Sequence, residues 1–350
     1  MIRTGLDPQP SPVGPARRRL IMGLTALAVF AFALGLVGLG AFAAYEGQGP
    51  AAARGGRVTD VILRQGAGLP EIAATLHRAH VISSPSLFIA AAQMTGAARR
   101  LKAGEYAFVS RASMAKVMAA IEGGKVVRHL VTIPEGVTSD AVVGILMREN
   151  FLTGSAPVPP EGAVLPETYQ VQRGEDRAEV LQRMITARDR LLASLWVHRR
   201  AGLPYQTPEQ AVILASIVEK ETAKPDERPR IAAVFINRLE KGMRLESDPT
   251  TIYGLTRGVP LGHGLRVSEL ASPTPYNTYL VTGLPPTPIA NPGRAALAAA
   301  LDPPRTDDIY FVADGTGGHV FSATFDAHQK NVVRWRAIEA AKAAQARRRP

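Results

Sequence analysis

The period of the apolar positions changes along this chain, and each change predicts a different element. Leu20 to Tyr45 carries no charge and is dominated by Leu, Ala, Val, Phe and Gly. A bilayer-spanning helix needs about 20 such residues, so this run is long enough to cross a membrane. Val58 to Leu63 reads as a strand, and Leu69 to Ala79 as an amphipathic helix through Leu69, Ile72, Ala73 and Leu76. Ser84-Pro85 starts a second helix reaching Thr95, and Gly104 to Val109 reads as a strand. Ser113 caps a helix to Glu122, a strand follows at Val126 to Ile133, and Thr138 to Asn150 is helical. Pro and Gly at 153–162 mark a boundary or an exposed loop. Helices then dominate at 176–200, 208–222 and 226–241, and the chain beyond Gly254 is rich in loops. Asp308 to Ala313 and His319 to Ser322 read as strands around Asp314-Gly-Thr-Gly-Gly318, and a final helix starts near Ala327. That turn lacks a suitably placed lysine and precedes a strand, so it is a hairpin turn and not a phosphate loop.

These elements predict an α+β protein with an N-terminal transmembrane helix at 20–45. Residues 1–19 form a tail, of which 1–16, rich in Pro and Gly, is read as disordered. A short Gly/Ala linker occupies 46–57. The strand-helix-helix-strand order at 58–110 is the plan of a LysM-like glycan-binding module, a plan shared by ordinary small α+β units. A mixed α/β domain takes 111–335, with its core starting near 126, and 336–350 is a basic C-terminal tail. A signal peptide cleaved at Ala41-Phe42-Ala43 is the rival to a retained anchor, but the apolar run exceeds an ordinary signal core. Arg17-Arg18-Arg19 precede the run and no similar cluster follows it. The N-terminus is therefore expected in the cytoplasm, with everything after residue 46 beyond the membrane, which in a bacterial inner membrane means the periplasm.

At 350 residues the chain can hold two or three modest domains. It contains no cysteine, which removes disulfides, thiolate metal sites and a cysteine nucleophile. Its seven histidines show no paired ligand spacing, so no metal site or organic cofactor is expected. The net charge of +11 resides partly in the terminal clusters Arg17 to Arg19 and Arg347 to Arg349. No basic stripe interleaved with aromatics occurs, so an anionic polymer or membrane surface fits this charge better than nucleic acid.

The chemistry concentrates where Ala211-Val-Ile-Leu-Ala-Ser-Ile-Val218 runs into Glu219-Lys-Glu221-Thr222. An apolar wall keeps a carboxylic acid protonated near neutral pH, and such an acid can protonate a leaving oxygen. Thr207-Pro-Glu-Gln210 opens the helix as a capping box. On a helical wheel Glu219 continues Val212, Ala215 and Ser216, whereas Glu221 continues Leu214, Ile217 and Val218. The small residues beneath Glu219 leave room for a substrate. Glu221 is then structural, paired with an arginine of the following helix, or a substrate contact. A solvated helix end is the plainer reading of both acids.

Eight segments in order carry a resemblance: Ile133-Pro-Glu-Gly136, Glu161-Gly-Ala-Val-Leu-Pro-Glu-Thr-Tyr169, Ala215 to Thr222, Val234-Phe-Ile-Asn-Arg-Leu239, Ser247-Asp-Pro-Thr-Thr-Ile-Tyr253, Pro275-Tyr-Asn-Thr-Tyr279, Gly283-Leu-Pro-Pro-Thr-Pro-Ile289, and Tyr310 to Ala313 with Gly318-His319. Together they resemble the endolytic murein transglycosylase (YceG-like) family, from the anchor to near residue 335. Two departures stand out: Val164-Leu165 replace an aromatic before Pro166, and Glu167 stands where the family more often has Asp. The resemblance implies that 111–335 is a transglycosylase domain of a membrane-anchored lyase. It would cut the β-1,4 bond between N-acetylmuramic acid and N-acetylglucosamine inside peptidoglycan strands, leaving 1,6-anhydro ends, with Glu219 as the catalytic acid. Glycan strands and the membrane are the implied partners, with wall synthases as further candidates. The substrate-contact candidates are Glu221, Asp248, Tyr253, Tyr276, Asn277, Tyr279 and His319. Asp248 is also the challenger as a second carboxylate, against an Asx turn before proline. The tyrosines and Asn277 would line a sugar cleft or pack a loop. His319 is a site residue or a satisfied structural one. A glycan-binding scaffold without catalysis and a hydrolytic muramidase are the alternative functions.

Overall fold

The computed structural model describes residues 15–52 and 56–347. Residues 1–14, most of the expected disordered tail, lie outside the described residues, as do 53–55 of the linker and the last three of the basic tail. The chain has a mixed α/β fold that divides into two compact units, Met1–Val127 and Arg128–Pro350.

The first unit begins with α1 (Pro15–Glu46), whose stretch Arg17–Glu46 is apolar and long enough to cross a membrane. Its side chains from Leu20 to Phe42 are exposed almost throughout, as a bilayer-facing surface requires. β1 (Val58–Leu63), α2 (Leu69–Arg78), α3 (Pro85–Met94) and β2 (Gly104–Val109) follow, the two strands pairing antiparallel from Val58↔Val109 to Leu63↔Gly104. Val61 and Leu63 face Tyr106 and Phe108 inward, while Ile72, Ala73 and Leu76 close the core from α2. Ser84 caps α3 and Ser113 caps α4 (Met114–Gly123). Met114, Val117, Met118 and Ile121 of α4 pack into this same core. The helix expected to open the second domain at 111 therefore belongs to the first unit, because its apolar face has its partners there.

The second unit holds two hydrophobic cores. β3 (Arg128–Thr132) and β4 (Thr168–Gln172) pair antiparallel, and α5 (Ser139–Arg148) and α6 (Arg177–Val197) pack with them through Val131, Val142, Leu146, Val171, Val180 and Met184. The larger core surrounds α7 (Pro208–Glu221). Thr207 accepts from the Gln210 N–H and the Gln210 side chain returns a bond to Thr207, so the capping box starts this helix. Every side chain from Ala211 to Val218 is buried. A helix apolar all round lies inside a fold rather than on its surface, and each fully buried Val, Leu or Ile stabilises by about 1.5–3 kcal/mol. Around α7 lie α8 (Arg228–Glu240), α9 (Asp248–Thr256) and α11 (Arg294–Leu301), and the short α10 (Val267–Leu270) packs on α9. β5 (Tyr310–Ala313) and β6 (His319–Ser322) form a hairpin, followed by α12 (Phe325–Arg347).

Candidate active site

The last turn of α7 collects the chemistry. Burial of the helix on all sides means that the wheel does not sort the two acids into a cleft face and a solvent face. Both carboxyls are held inside the protein, and both sit at the negative end of the α7 dipole, which disfavours their charged forms.

Glu219 has a side chain only 4 % exposed. Its Oε1 accepts from Nη2 of Arg228 at 2.8 Å, and its Oε2 accepts the Gly293 N–H at 2.9 Å, at the start of α11. The same Arg228 nitrogen reaches Oε2 of Glu135 at 3.2 Å, so one guanidinium serves two carboxyls. Desolvation is the largest influence on Glu219 and raises its pKa. The Gly293 N–H and Arg228 pull it down, Glu135 pushes it up, and the net direction is upward. Two glycines make the close approach possible. Gly136 has φ +73° and lies against Cγ of Glu219, and a Cβ on Gly293 would collide with Oε1 of Glu135. An arginine of the following helix is expected beside Glu221, and Arg238 of α8 does act on it by charge; Arg228, at the start of α8, pairs with Glu219.

Glu221 takes a different partner. It accepts from the Ser247 hydroxyl, and burial pushes its pKa up to about 7, helped by Asp248 and opposed by Ser247 and Arg238. Asp248 does not form an Asx turn: it is the first residue of α9, and its Oδ1 accepts from the Tyr279 hydroxyl at 2.7 Å. It is exposed.

The Tyr276–Tyr279 segment is brought close to Ser247 and Asp248 but turns inward. Asn277 is fully buried; its amide donates to the Leu270 and Ser272 carbonyls, and its Oδ1 accepts from Thr251 and the Tyr279 N–H. All its bonding capacity is spent on this loop and on α9 and α10, so it has none for an N-acetyl group. Tyr276 is buried edge-on to Tyr253, centroids 4.9 Å apart, with its hydroxyl on Thr287. Neither Tyr276 nor Asn277 is placed to stack on or bond to a sugar. Tyr253, also largely buried, lines a cleft of about 520 Å³ together with Gly136, Thr138, Lys220, Pro260 and His263. This cleft passes Lys220, the neighbour of Glu219, whose Nζ donates to the Gly136 carbonyl at 3.2 Å.

His319 joins the site through Glu227. Its Nδ1 lies 2.7 Å from Glu227 Oε2, its N–H donates to Oε1, and the Thr222 hydroxyl donates to the same carboxylate. Burial alone raises Glu227, but these bonds and the His319 charge outweigh it and hold the carboxyl below its ordinary value. Glu227 directly precedes Arg228, so the start of α8 ties both networks to the end of α7. Val164 and Leu165 are buried core residues, and Glu167 pairs with Arg294 at 2.6 Å. No group of three or more His, Cys, Asp or Glu side chains suited to a metal occurs among the described residues.

Glu135, Arg228 and Gly293 were missed as site residues. Glu135 had a signal, since an acid next to a glycine in Ile133-Pro-Glu-Gly136 sits in one of the shared segments. Gly293 had none. The shared segments converge here: Ile133–Gly136, Ala215–Thr222, Ser247–Tyr253 and Gly318-His319 all meet α7 or its immediate neighbours. A family model, the YceG-like family, matches residues 61–334. The chain belongs to the YceG-like family. A relative named endolytic murein transglycosylase from Bacillus subtilis is 35% identical over 175 residues, 49% of this chain and 47% of that protein. Another of that name, from Streptococcus pneumoniae, is 26% identical over 333 residues, 81% of this chain and 59% of its own. The chain thus spans about half the length of these relatives. The crystal structure of a YceG-like protein from Listeria monocytogenes aligns with a TM-score of 0.50 at 27% identity, covering 78% of this chain and 98% of that one.

Proposed function

We propose that this YceG-like protein is a membrane-anchored lytic transglycosylase that cuts peptidoglycan strands internally, with Glu219 as acid and then base. The relatives named endolytic murein transglycosylase support the activity. The observation that carries the residue assignment is a desolvated carboxyl, oriented through both oxygens by Arg228 and Gly293 and raised in pKa. Ordinary glycosidases need two carboxylates, one of them to activate water or to attack the sugar. A transglycosylase needs one, because the sugar brings its own nucleophile.

Glu219 gives its proton to the glycosidic oxygen as the bond from C1 of N-acetylmuramic acid to that oxygen breaks. The C6 hydroxyl oxygen of the same sugar then bonds to C1, and its proton returns to Glu219. No water is consumed. The product is a 1,6-anhydro end, and the enzyme is restored. The sugar reaches Glu219 past Glu135, the exposed member of the cluster, at 41 %. In this reading α1 anchors the protein in the inner membrane with the N-terminus cytoplasmic and the remainder periplasmic. The LysM-like unit holds glycan, and the cut terminates strands during wall assembly beside the synthases.

A second assignment rests on one observation: Glu221, pushed up to about 7, is the more strongly shifted acid. Its place against Ser247, away from the Gly136 and Gly293 backbone, favours a structural role. Digestion of purified sacculi by wild type, Glu219→Gln and Glu221→Gln, with mass spectrometry of the fragments, tests both. Anhydro ends from wild type and Glu221→Gln, and none from Glu219→Gln, are expected. Reducing ends, one water heavier, would instead identify a hydrolytic muramidase, and binding without release a scaffold.

A further inference from the structure

We propose that Glu135 is a positioning residue for the acid: it engages Arg228 so that Glu219 rests with its proton on. The inference builds on the assignment of Glu219 above and adds a second carboxyl whose work is electrostatic.

The geometry poses a charge-counting problem. One Arg228 nitrogen contacts Oε1 of Glu219 at 2.8 Å and Oε2 of Glu135 at 3.2 Å, and the guanidinium is 9 % exposed. Among the described residues the Nε of Arg228 is buried without a hydrogen-bond partner, and its Nη2 serves both acids. Two ionised carboxylates against one buried cation would leave a net negative charge at the negative end of α7, with Glu219 out of water. Taking an unmatched ion out of water is strongly unfavourable. One carboxyl therefore keeps a proton.

Solvent decides which. Water solvates Glu135, whose side chain is 41 % exposed, while Glu219 at 4 % has almost none. The proton stays on Glu219 and the charge on Glu135. The remaining polar groups facing Glu219 do not reverse this choice. The Gly293 N–H lowers the Glu219 pKa, and the Lys220 ammonium, hydrogen-bonded to the Gly136 carbonyl, is exposed and screened by water, so its charge does not act on Glu219 as Arg228 and Glu135 do. Glu135 itself is seated by the gap at Gly293, where any side chain would collide with its Oε1.

Removing the Glu135 charge without its shape leaves Arg228 to Glu219 alone. In Glu135→Gln the acid then ionises at lower pH. The readout is the pH profile of anhydro-end release from uncrosslinked glycan strands by the full-length protein. The basic limb, where the protonated acid is lost, should move down by about one pH unit, a tenfold loss of rate on that limb. KM should stay close to wild type, and Glu135→Asp should restore the limb. A uniform loss at every pH with the limb unmoved would overturn the proposal, since a packing role or a direct chemical role would give that result. If Glu135→Gln does not fold, Glu135→Ser carries the same expectation. A wild-type protein that yields no anhydro ends would defeat the assignment of Glu219 instead, and shows itself before any variant is made.

Discussion

Two clusters in the second unit look alike in sequence and differ in what their polar atoms do. The 276–279 loop places tyrosine, asparagine and threonine side by side, and so does much of the sugar-binding chemistry expected of such a protein. Yet Asn277 finds four partners within its own surroundings, and Thr278 is bonded to Thr250 and the Ser247 N–H. At the end of α7 the reverse holds. Glu219 and Glu135 share one guanidinium, and its Nε has no partner among the described residues. A buried polar group with all its bonds made rigidifies a fold, whereas charges left imperfectly matched keep a proton available for chemistry. The residue types alone do not separate these cases; the count of partners does.

The comparison breaks first at Glu219. Glu219→Gln keeps the size and one of the two acceptor oxygens, the amide nitrogen replacing the other, and removes the transferable proton. It should lower strand cleavage by about 10²–10⁴-fold while the protein melts near the wild-type temperature, as activity assays and thermal scans check. Asn277→Ala should do the opposite. It strands two carbonyls, a hydroxyl and an N–H in a buried loop, for a loss of about 2–4 kcal/mol in urea denaturation. The basic limb of the pH profile of the folded fraction should stay where it is. A displaced limb in Asn277→Ala would blur the distinction between the clusters.

Glu221 sharpens it. Its folded pKa of about 7 lies above the ordinary value of 4.5, so between those limits the native state holds a proton that the unfolded chain has lost. Its contribution to stability is complete below about 4.5 and fades as pH rises through about 7, by on the order of 3 kcal/mol. Denaturant titrations from pH 4 to 8 should show this decline in wild type and a flatter curve in Glu221→Gln. The smallest effect belongs to His319→Ala. Loss of the partly buried pair with Glu227 should cost about 1 kcal/mol in the same titrations. Cleavage should fall only modestly, because Thr222 still holds Glu227.

How much was legible follows from the range of each signal. The capping box at Thr207, the caps at Ser84 and Ser113 and the apolar run of α1 are local, and each starts or spans the element its residues predict. Four elements escaped, among them the single-turn α10 in the loop-rich stretch beyond Gly254. Asp248-Pro249 reads as a turn, but proline after an acid equally opens a helix, and α9 is that helix. The alanine-rich α11 sits among prolines that suggest loop. β4 is short and exists because β3 lies beside it, closing with Thr132 on Thr168 at 2.9 Å. At the site, the burial of Glu219 behind an apolar wall was legible because that wall is contiguous in sequence. The sharing of Arg228 between residues 135 and 219 was not, since a contact across that separation leaves no periodic trace.

The state of the Glu219 proton is open to direct observation. Carbon NMR with labelled glutamate, assigned by comparison with Glu219→Gln and Glu221→Gln, follows this carboxyl through a pH titration. A midpoint above the ordinary 4.5 that falls when Glu135 becomes glutamine is the expected result. A Glu219 already ionised well below that value in the wild-type protein, locked as a plain ion pair with Arg228, would contradict the role assigned to it.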